Sequence, residues 1–503
     1  MFAHLQRMPK VHELIVRFLT DVNAGIYDLE KSLPPVRSVA KTYGVSIFTV
    51  HRAFDELKKA GLIRAEGKRA SYINEDQLES LNRDNGNGAG KRSTGQDVTL
   101  LVRQYSDLRK LGTALVREKF YQHLRKIAPE ITTREIQTDL SGGEFHMKLL
   151  NTMLAEAYPT TGLLTQSRLD SYSSLNLLAP FHNGELDDYL KDLKPVYKNI
   201  CSRNGKLFLV PSSATYSFVL YNKKVFAEMG VAPADINSWA AFYDLMIRLR
   251  GIKKISYPMA LGLSMDMMYL LMHFIYQSCD CQKTGSVAPR IDWAYRKVKA
   301  GMDFFHKLVF AEKLINPFNS EIDLVPKLVN GAIPMCLDCG HTAEAVMRCG
   351  ETGLIGIMPI PPGPNGITLS LSNVSGFFVN AKASPAEKKA GETYISHWLN
   401  WINGEESVSL FKTYKRSHSL FSLRKNKGAA SHPGEEIPED WARALARIEE
   451  NAVFEHSGSD WEKELGADVF NKLFADGTSV NAADLSLYLN SHINNSKLRE
   501  EEL

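Results

Sequence analysis

Few side chains in this 503-residue chain stand at spacings suited to covalent chemistry. Cys336 and Cys339 form a Cys-x-x-Cys pair, a spacing used for dithiol exchange or for half of a zinc site. A structural zinc site needs four ligands, and neither a second such pair nor paired histidines stand at a matching spacing. Cys279 and Cys281 are two residues apart and give no such partner, so the thiols are read as buried or incidental. No Gly-x-Ser-x-Gly turn presents a nucleophilic serine, and no His-Glu-x-x-His marks a metallopeptidase. Asp187 and Asp188 are neighbours along the chain, which does not define an acid/base couple. The expectation is a protein without catalytic residues, bound metal or cofactor. What remains is binding chemistry.

Charge shows where to look for it. Lys and Arg number 60 against 57 Asp and Glu, a net +3. Residues 1–73 hold 12 basic and 7 acidic side chains, a net +5, which leaves −2 for the remainder. A small basic head on a mildly acidic body points to nucleic acid at the head. At 44% hydrophobic residues the chain can fill large cores, and its length suggests about three compact units. The longest apolar run, Met267 to Tyr276, contains His273 and falls well short of the ~20 residues that span a bilayer. Near the start, Glu13 and Arg17 enclose Leu14-Ile15-Val16 before a signal-type apolar core can form. With six cysteines and no disulfide pattern, the expected compartment is the cytoplasm, with no membrane partner.

The head reads as three helices and a hairpin. Val11, Leu14, Ile15, Phe18, Leu19 and Val22 recur at helical spacing, and Gly25 follows their end. Pro34 and Pro35 open a short helix with a stripe of Val36, Val39, Ala40 and Tyr43, stopped by Gly44. Ser46 suits the N-cap of a third helix with Val50, Ala53, Phe54 and Leu57 inward. Leu62–Ala65 and Ala70–Ile73 alternate around Glu66-Gly67-Lys68-Arg69 as a hairpin.

Ser32-Leu33-Pro34-Pro35-Val36-Arg37-Ser38-Val39-Ala40, then Gly44-Val45-Ser46, Thr49-Val50, Ala53, Leu57 and Gly61-Leu62-Ile63, resembles the GntR-family winged helix-turn-helix over residues 8–73. The resemblance implies DNA binding, with Arg37 of the Leu-Pro-x-x-Arg motif reaching DNA. Ser46, Phe48, Thr49, His51 and Arg52 are the outward candidates on the recognition helix, and Lys68 and Arg69 those at the wing tip. Ile47 and His51 stand where the family commonly has arginines, so arginine readout of guanine is missing there and the operator should differ.

Residues 75–96 are rich in Gly, Asn and Ser and read as a flexible linker. From Val98 onward short apolar strands mix with helices, the pattern of an α/β body. Strands are expected at 98–102, 207–210, 218–221, 354–357 and 377–379, and helices at 115–127, 239–250, 295–310 and 385–401.

Asn204-Gly-Lys-Leu-Phe-Leu-Val-Pro211, Phe218-Val-Leu-Tyr-Asn-Lys-Lys-Val-Phe226 and Ser238-Trp239 resemble the family 1 extracellular solute-binding proteins of sugar transporters. Met335–Asp338, Ile355–Pro361 and Ser375–Val379 continue the match in order, over about residues 97–430. The resemblance implies a periplasmic-binding-protein-like (class II) body of two α/β lobes. The chain would divide into a winged helix-turn-helix at 1–74, a linker at 75–96 and a sensor at 97–503. Lobe 1 would take about 97–211 and 376–412, and lobe 2 about 212–375 and 413–503. Ligand contacts would come from Tyr105 and Ser106, Gln166 and Asp170, and Tyr216. Asp266, Met267 and Tyr269, Asp338 and His341, Ser375, and His418 would complete the set. Planar polar groups there would take sugar hydroxyls, and aromatic rings the C–H faces. At His341 many members carry a stacking Trp, a departure that argues against a broad saccharide platform.

Together these features predict a multidomain, ligand-responsive transcription regulator, a homodimer on a palindromic operator that senses a mono- or oligosaccharide. The alternatives are a transporter receptor with an added N-terminal module and a carbohydrate-cleaving enzyme.

Overall fold

Helical spacing becomes helix in the head. In the computed structural model Val36–Tyr43 is an α-helix with Val39, Ala40 and Tyr43 buried. Gly44 ends it at φ 66°, a left-handed conformation that a side chain would strain. The Val45 N–H then returns to the Ala40 carbonyl at 3.0 Å, and the Ser46 carbonyl accepts the Val50 N–H at 3.2 Å to begin the next helix. Leu14, Phe18, Leu33, Val50, Ala53, Phe54 and Ile63 join the buried stripe in one core. Phe18 lies at its centre, with ring centroids 5.0 Å from Tyr27 and 5.3 Å from Phe54. Strands β1 (Ile63–Glu66) and β2 (Ala70–Ile73) pair antiparallel, Ile63 opposite Ile73, and form the hairpin of the wing.

The structure describes residues 14, 18, 27, 32–47, 50–51, 53–54, 58, 63–66 and 70–73 of the head. Beyond it, 97–103, 108–138, 145–146, 148–150, 152–153, 158–181, 184–262, 265–279, 287–288, 291, 293–316, 321–413, 420–425, 437–455, 470, 473 and 481–500 are described. The expected linker at 75–96 lies outside these residues. The chain divides into two compact units, Met1–Thr94 and Gly95–Leu503.

Among the described residues the larger unit holds two main sheets and a small hairpin, and it is a two-lobed α/β body. The first sheet contains β3 (Asp97–Arg103), β4 (Thr132–Thr138) and β5 (Thr161–Thr165), all parallel. The hairpin β6 (Ser202–Arg203) and β7 (Lys206–Leu207) precedes β8 (Val210–Tyr216), which leads through Ser217 alone into β9 (Phe218–Asn222). The second sheet adds β10 (Met259–Leu261), β11 (Ile315–Asn316), β12 (Met335–Asp338) and β13 (Ile355–Met358), in the order β11-β10-β12-β9-β13. The chain then returns to the first sheet through β14 (Ser370–Val379), and β15 (Ala452–Phe454) completes the order β15-β14-β5-β3-β4, with β8 also on β14.

Alternating apolar residues explain the layers. Val98 and Leu100 of β3 lie in a core with Phe120, Leu124, Tyr394, Ile395 and Leu399, from helices Leu108–Ile127 and Pro385–Ile402. Ser384 and Glu387 form a capping box that starts the second of these. In the other lobe, the almost uniformly apolar helix Met267–Ser278 is buried from Met267 to Gln277. A helix apolar all round belongs in an interior.

The helices at 239–250 and 385–402 match their spacing. The expected helix 295–310 stops as α at His306 and continues as a π-turn through Ala311. Strand pairing places Ser370–Ser375 and Ala452–Phe454 in the first sheet, outside the share expected for lobe 1. The reason is that β14 is one uninterrupted strand, and β15 is short enough that its three residues carry no pattern of their own.

Candidate functional site

On the head, Arg37 is the exposed second residue of the helix before the turn, and Ser46 is exposed at the start of the next. His51 is exposed one turn further on. Phe48, Thr49, Arg52, Lys68 and Arg69 lie outside the described residues. The turn geometry holds the second helix so that its first residues are presented outward, the arrangement by which such a helix enters a major groove.

In the body, Gln166 follows the carboxyl end of β5 and Asp266 and His341 follow those of β10 and β12, whereas Ser375 lies within β14. Parallel β10 and β12 pair Leu261 with Leu337, so the segments after them begin side by side. The Gly262 N–H reaches the Leu337 carbonyl at 2.6 Å, and a Cβ on Gly262 would lie 2.6 Å from the Asp338 carboxylate. Only glycine fits that approach. Asp266 then caps the helix Met267–Ser278, and Asp338, the last residue of β12, bonds the first turn of the helix His341–Cys349, whose N-cap is Gly340. Asp266 Oδ1 accepts the Tyr269 N–H at 2.7 Å. Buried Asp338 accepts three N–H groups, from Gly340 at 3.1 Å, Thr342 at 3.1 Å and Ala343 at 2.9 Å. Both carboxylates suit helix N-termini electrostatically. Met267 is buried in the second-lobe core. His341 opens the helix His341–Cys349, with Nδ1 3.4 Å from Cys339 Sγ.

In the first lobe, Gln166 follows β5 and is buried. Its Oε1 accepts the Val374 N–H at 2.7 Å, and its Nε2 donates to the Glu455 carbonyl at 2.9 Å. Ser375 pairs with Thr165 and Ser213, and its carbonyl accepts the Ser212 hydroxyl at 3.0 Å. Asp170 lies on the surface in an ion pair with Arg203. Tyr105, Ser106 and His418 are outside the described residues.

Strand β14 brings members of the two sets together. Tyr269, from the second lobe, donates its hydroxyl to the Leu371 carbonyl at 3.1 Å, three residues before the Val374 N–H that Gln166 holds. Between these points Asn373 Nδ2 donates to Glu455 Oε2 at 3.1 Å. Burial holds the Tyr269 phenol well above its ordinary range, and nearby Glu455, Cys339 and Asp266 add to the effect. Gln166, Tyr269 and Ser375 thus share one stretch of β14, with Asp266 beside Tyr269. Asp170 is elsewhere. Tyr216 is also turned away: its hydroxyl bonds that of Tyr197, and its ring lies 4.2 Å from Phe421. Tyr197 in turn donates to Glu449 at 2.9 Å, and Lys194 pairs with the same carboxylate.

Sequence reasoning missed Asn373, Glu455 and the residues of the crossover. Ser217 donates its N–H to the Leu371 carbonyl at 2.9 Å and accepts the Ser370 hydroxyl on its own carbonyl at 2.8 Å. Its hydroxyl lies 3.3 Å from His273 Nδ1, and His273 Nε2 is 2.8 Å from the Leu369 carbonyl. Burial pushes the His273 pKa down to about 3, so the ring is neutral, with Nε2–H donating to the carbonyl. The signal that could have found it was a single His inside the apolar run 267–276. Cys336 is buried and its thiol is pushed up by that burial, the opposite of what reactive thiolates need. Among the described residues, no group of three His, Cys, Asp or Glu side chains gathers as a metal site.

Residues 10–73 match the family of bacterial regulatory proteins, gntR family. No curated protein matches the chain. Solved structures resemble the body. Maltose-bound MalE3 of T. maritima aligns with a TM-score of 0.59 at 16% identity, over 79% of this chain and 99% of that one. An ABC substrate-binding protein from Listeria monocytogenes in complex with cycloalternan aligns at 0.60 and 13%, over 80% and 98%. The sugar-binding protein MalE from Xanthomonas citri aligns at 0.57 and 16%, over 81% and 100%. The chain therefore joins a GntR-type helix-turn-helix head to a body with the fold of MalE-type solute-binding proteins. Among the described residues, no helix is long and apolar enough to cross a membrane.

Proposed function

We propose that this protein is a transcription regulator whose head binds operator DNA and whose body senses a small solute, a mono- or oligosaccharide being the class best supported. The observation that carries this reading is the union in one chain of a GntR-type head with a fold shared by proteins solved with maltose and with cycloalternan bound. In the described part of the site, Gln166, Tyr269 and Ser375 contribute to a polar wall along β14, joined by Asn373 and Glu455. Tyr105, Ser106, Asp266, His341 and His418 complete the candidate ligand set.

The protein acts in the cytoplasm as a homodimer on a palindromic operator and catalyses no reaction. Solute selects a closed arrangement of the lobes, with bending at Ser217 and at the return into β14. That change alters how two heads meet two half-sites. Only the difference in affinity between the two arrangements can drive the shift.

A saccharide panel screened by thermal denaturation of the full chain tests the sensor half. At a concentration of about 100 Kd the true ligand stabilises the body by about 2.7 kcal/mol. Selection of DNA from a random duplex pool tests the head. Arg37→Ala should weaken binding to the selected sequence, and that sequence should bind differently with and without the sugar. A chain that enriches no sequence, or whose DNA binding ignores every stabilising sugar, overturns the regulator.

A further inference from the structure

We propose that Ile47 is a specificity-determining residue of the head, reading the methyl group of a thymine in the major groove. The proposal rests on the DNA-binding reading of the head and names the base chemistry that this head selects. Ile47 is 45% exposed, although the neighbouring core takes in Val50, Ala53 and Phe54 on the same helix. It follows Ser46, whose carbonyl accepts the first helical hydrogen bond, so it stands in the opening turn, the part of a recognition helix that meets base edges. An aliphatic side chain has no hydrogen bond to offer there. The apolar feature that base pairs present in the major groove is the C5-methyl of thymine.

The neighbouring polar group sets the register. His51 is exposed four residues on, about 6 Å further along the helix axis, and four-residue spacing keeps the two on one side. The geometry therefore points to a half-site in which the methyl-bearing base and the base pair facing the His51 imidazole are read in the same groove, close to one another.

The experiment uses the full chain and a sequence selected from random duplex DNA. Each thymine of that sequence is replaced in turn by deoxyuridine, which removes the methyl group and leaves the hydrogen-bonding edge intact. One thymine per half-site should lose about fourfold in affinity, the worth of one buried methyl. Ile47→Ala should bind the thymine and uracil forms alike, and Ile47→Val should keep part of the discrimination. Because Ile47 is outside the core, both variants should melt with the parent. Discrimination that persists undiminished in Ile47→Ala, or a selected sequence with no methyl-sensitive thymine, overturns the proposal. Failure to select any sequence overturns the regulator reading first, and this one with it.

Discussion

The two lobes use the polar side chains of the candidate site in opposite ways. In the second lobe, Asp266 and Asp338 bond N–H groups within five residues of themselves, at the starts of the helices that follow them. In the first, Gln166 and Asn373 bond groups far along the chain, and both reach Glu455. A helix cap is fixed by local geometry and keeps its shape wherever the lobe moves. A cross-strand tie depends on several segments holding their places. Carboxylates placed for a ligand and carboxylates placed for a helix look the same in a sequence; the bonding partners separate them.

Substitutions along this contrast should scale with it, and the body can be followed alone because all six tryptophans lie beyond residue 97. The largest effect is expected from Asp338→Ala, which strands three buried N–H groups. At about 1–3 kcal/mol per unmet group, partly relieved by relaxation, denaturant unfolding followed by tryptophan fluorescence should show a loss of about 4 kcal/mol. A loss under about 1 kcal/mol would break the distinction between the lobes. Gln166→Leu should cost less, about 2–3 kcal/mol, because two backbone groups lose partners. Unlike Asp338→Ala, it should also change the response to the stabilising sugar.

His273 gives a pH test. Its pKa is near 6.5 unfolded and about 3 folded, so its effect is nil above about pH 6.5. As the pH falls below that, the unfolded chain takes up a proton that the folded one refuses. Stability then drops by about 1.4 kcal/mol per pH unit until about pH 3. In His273→Gln the acid limb of a stability–pH curve should be shallower by that slope. The smallest effect belongs to Asp170→Asn. The Asp170–Arg203 pair is solvent-exposed, and its loss should change stability by about 0.5 kcal/mol or less at neutral pH.

The same contrast explains what was legible beforehand. Helix Trp239–Arg250 and strand β9 announce themselves through Ser238, Trp239 and an unbroken apolar run, all local signals. The head was legible because its turn glycine, cap and stripe follow one another within residues 32–54. β15 and Glu455 were not, because nothing near residue 455 in sequence shows that Gln166 and Asn373 will meet it. Tyr216 misled for a related reason. The resemblance implied a ligand contact, whereas Tyr216 ends β8 with its side chain in the interior against Tyr197 and Phe421. Asp266 and Asp338 carry cap spacing as plainly as ligand spacing.

One consequence follows from the order in which the first sheet is threaded. Its β3 begins at Asp97, yet its edge strand β15 ends at Phe454, and the last helix, Ala482–Glu500, inserts Leu485 and Leu489 into the second-lobe core. During synthesis the head has all its residues early, whereas the first sheet lacks its edge strand until residue 454 and the second-lobe core lacks Leu485 and Leu489 until later still. Sheets joined across such separations form slowly. A chain cut back before residue 482 would therefore keep every residue of the head and lose Leu485 and Leu489 from the second-lobe core.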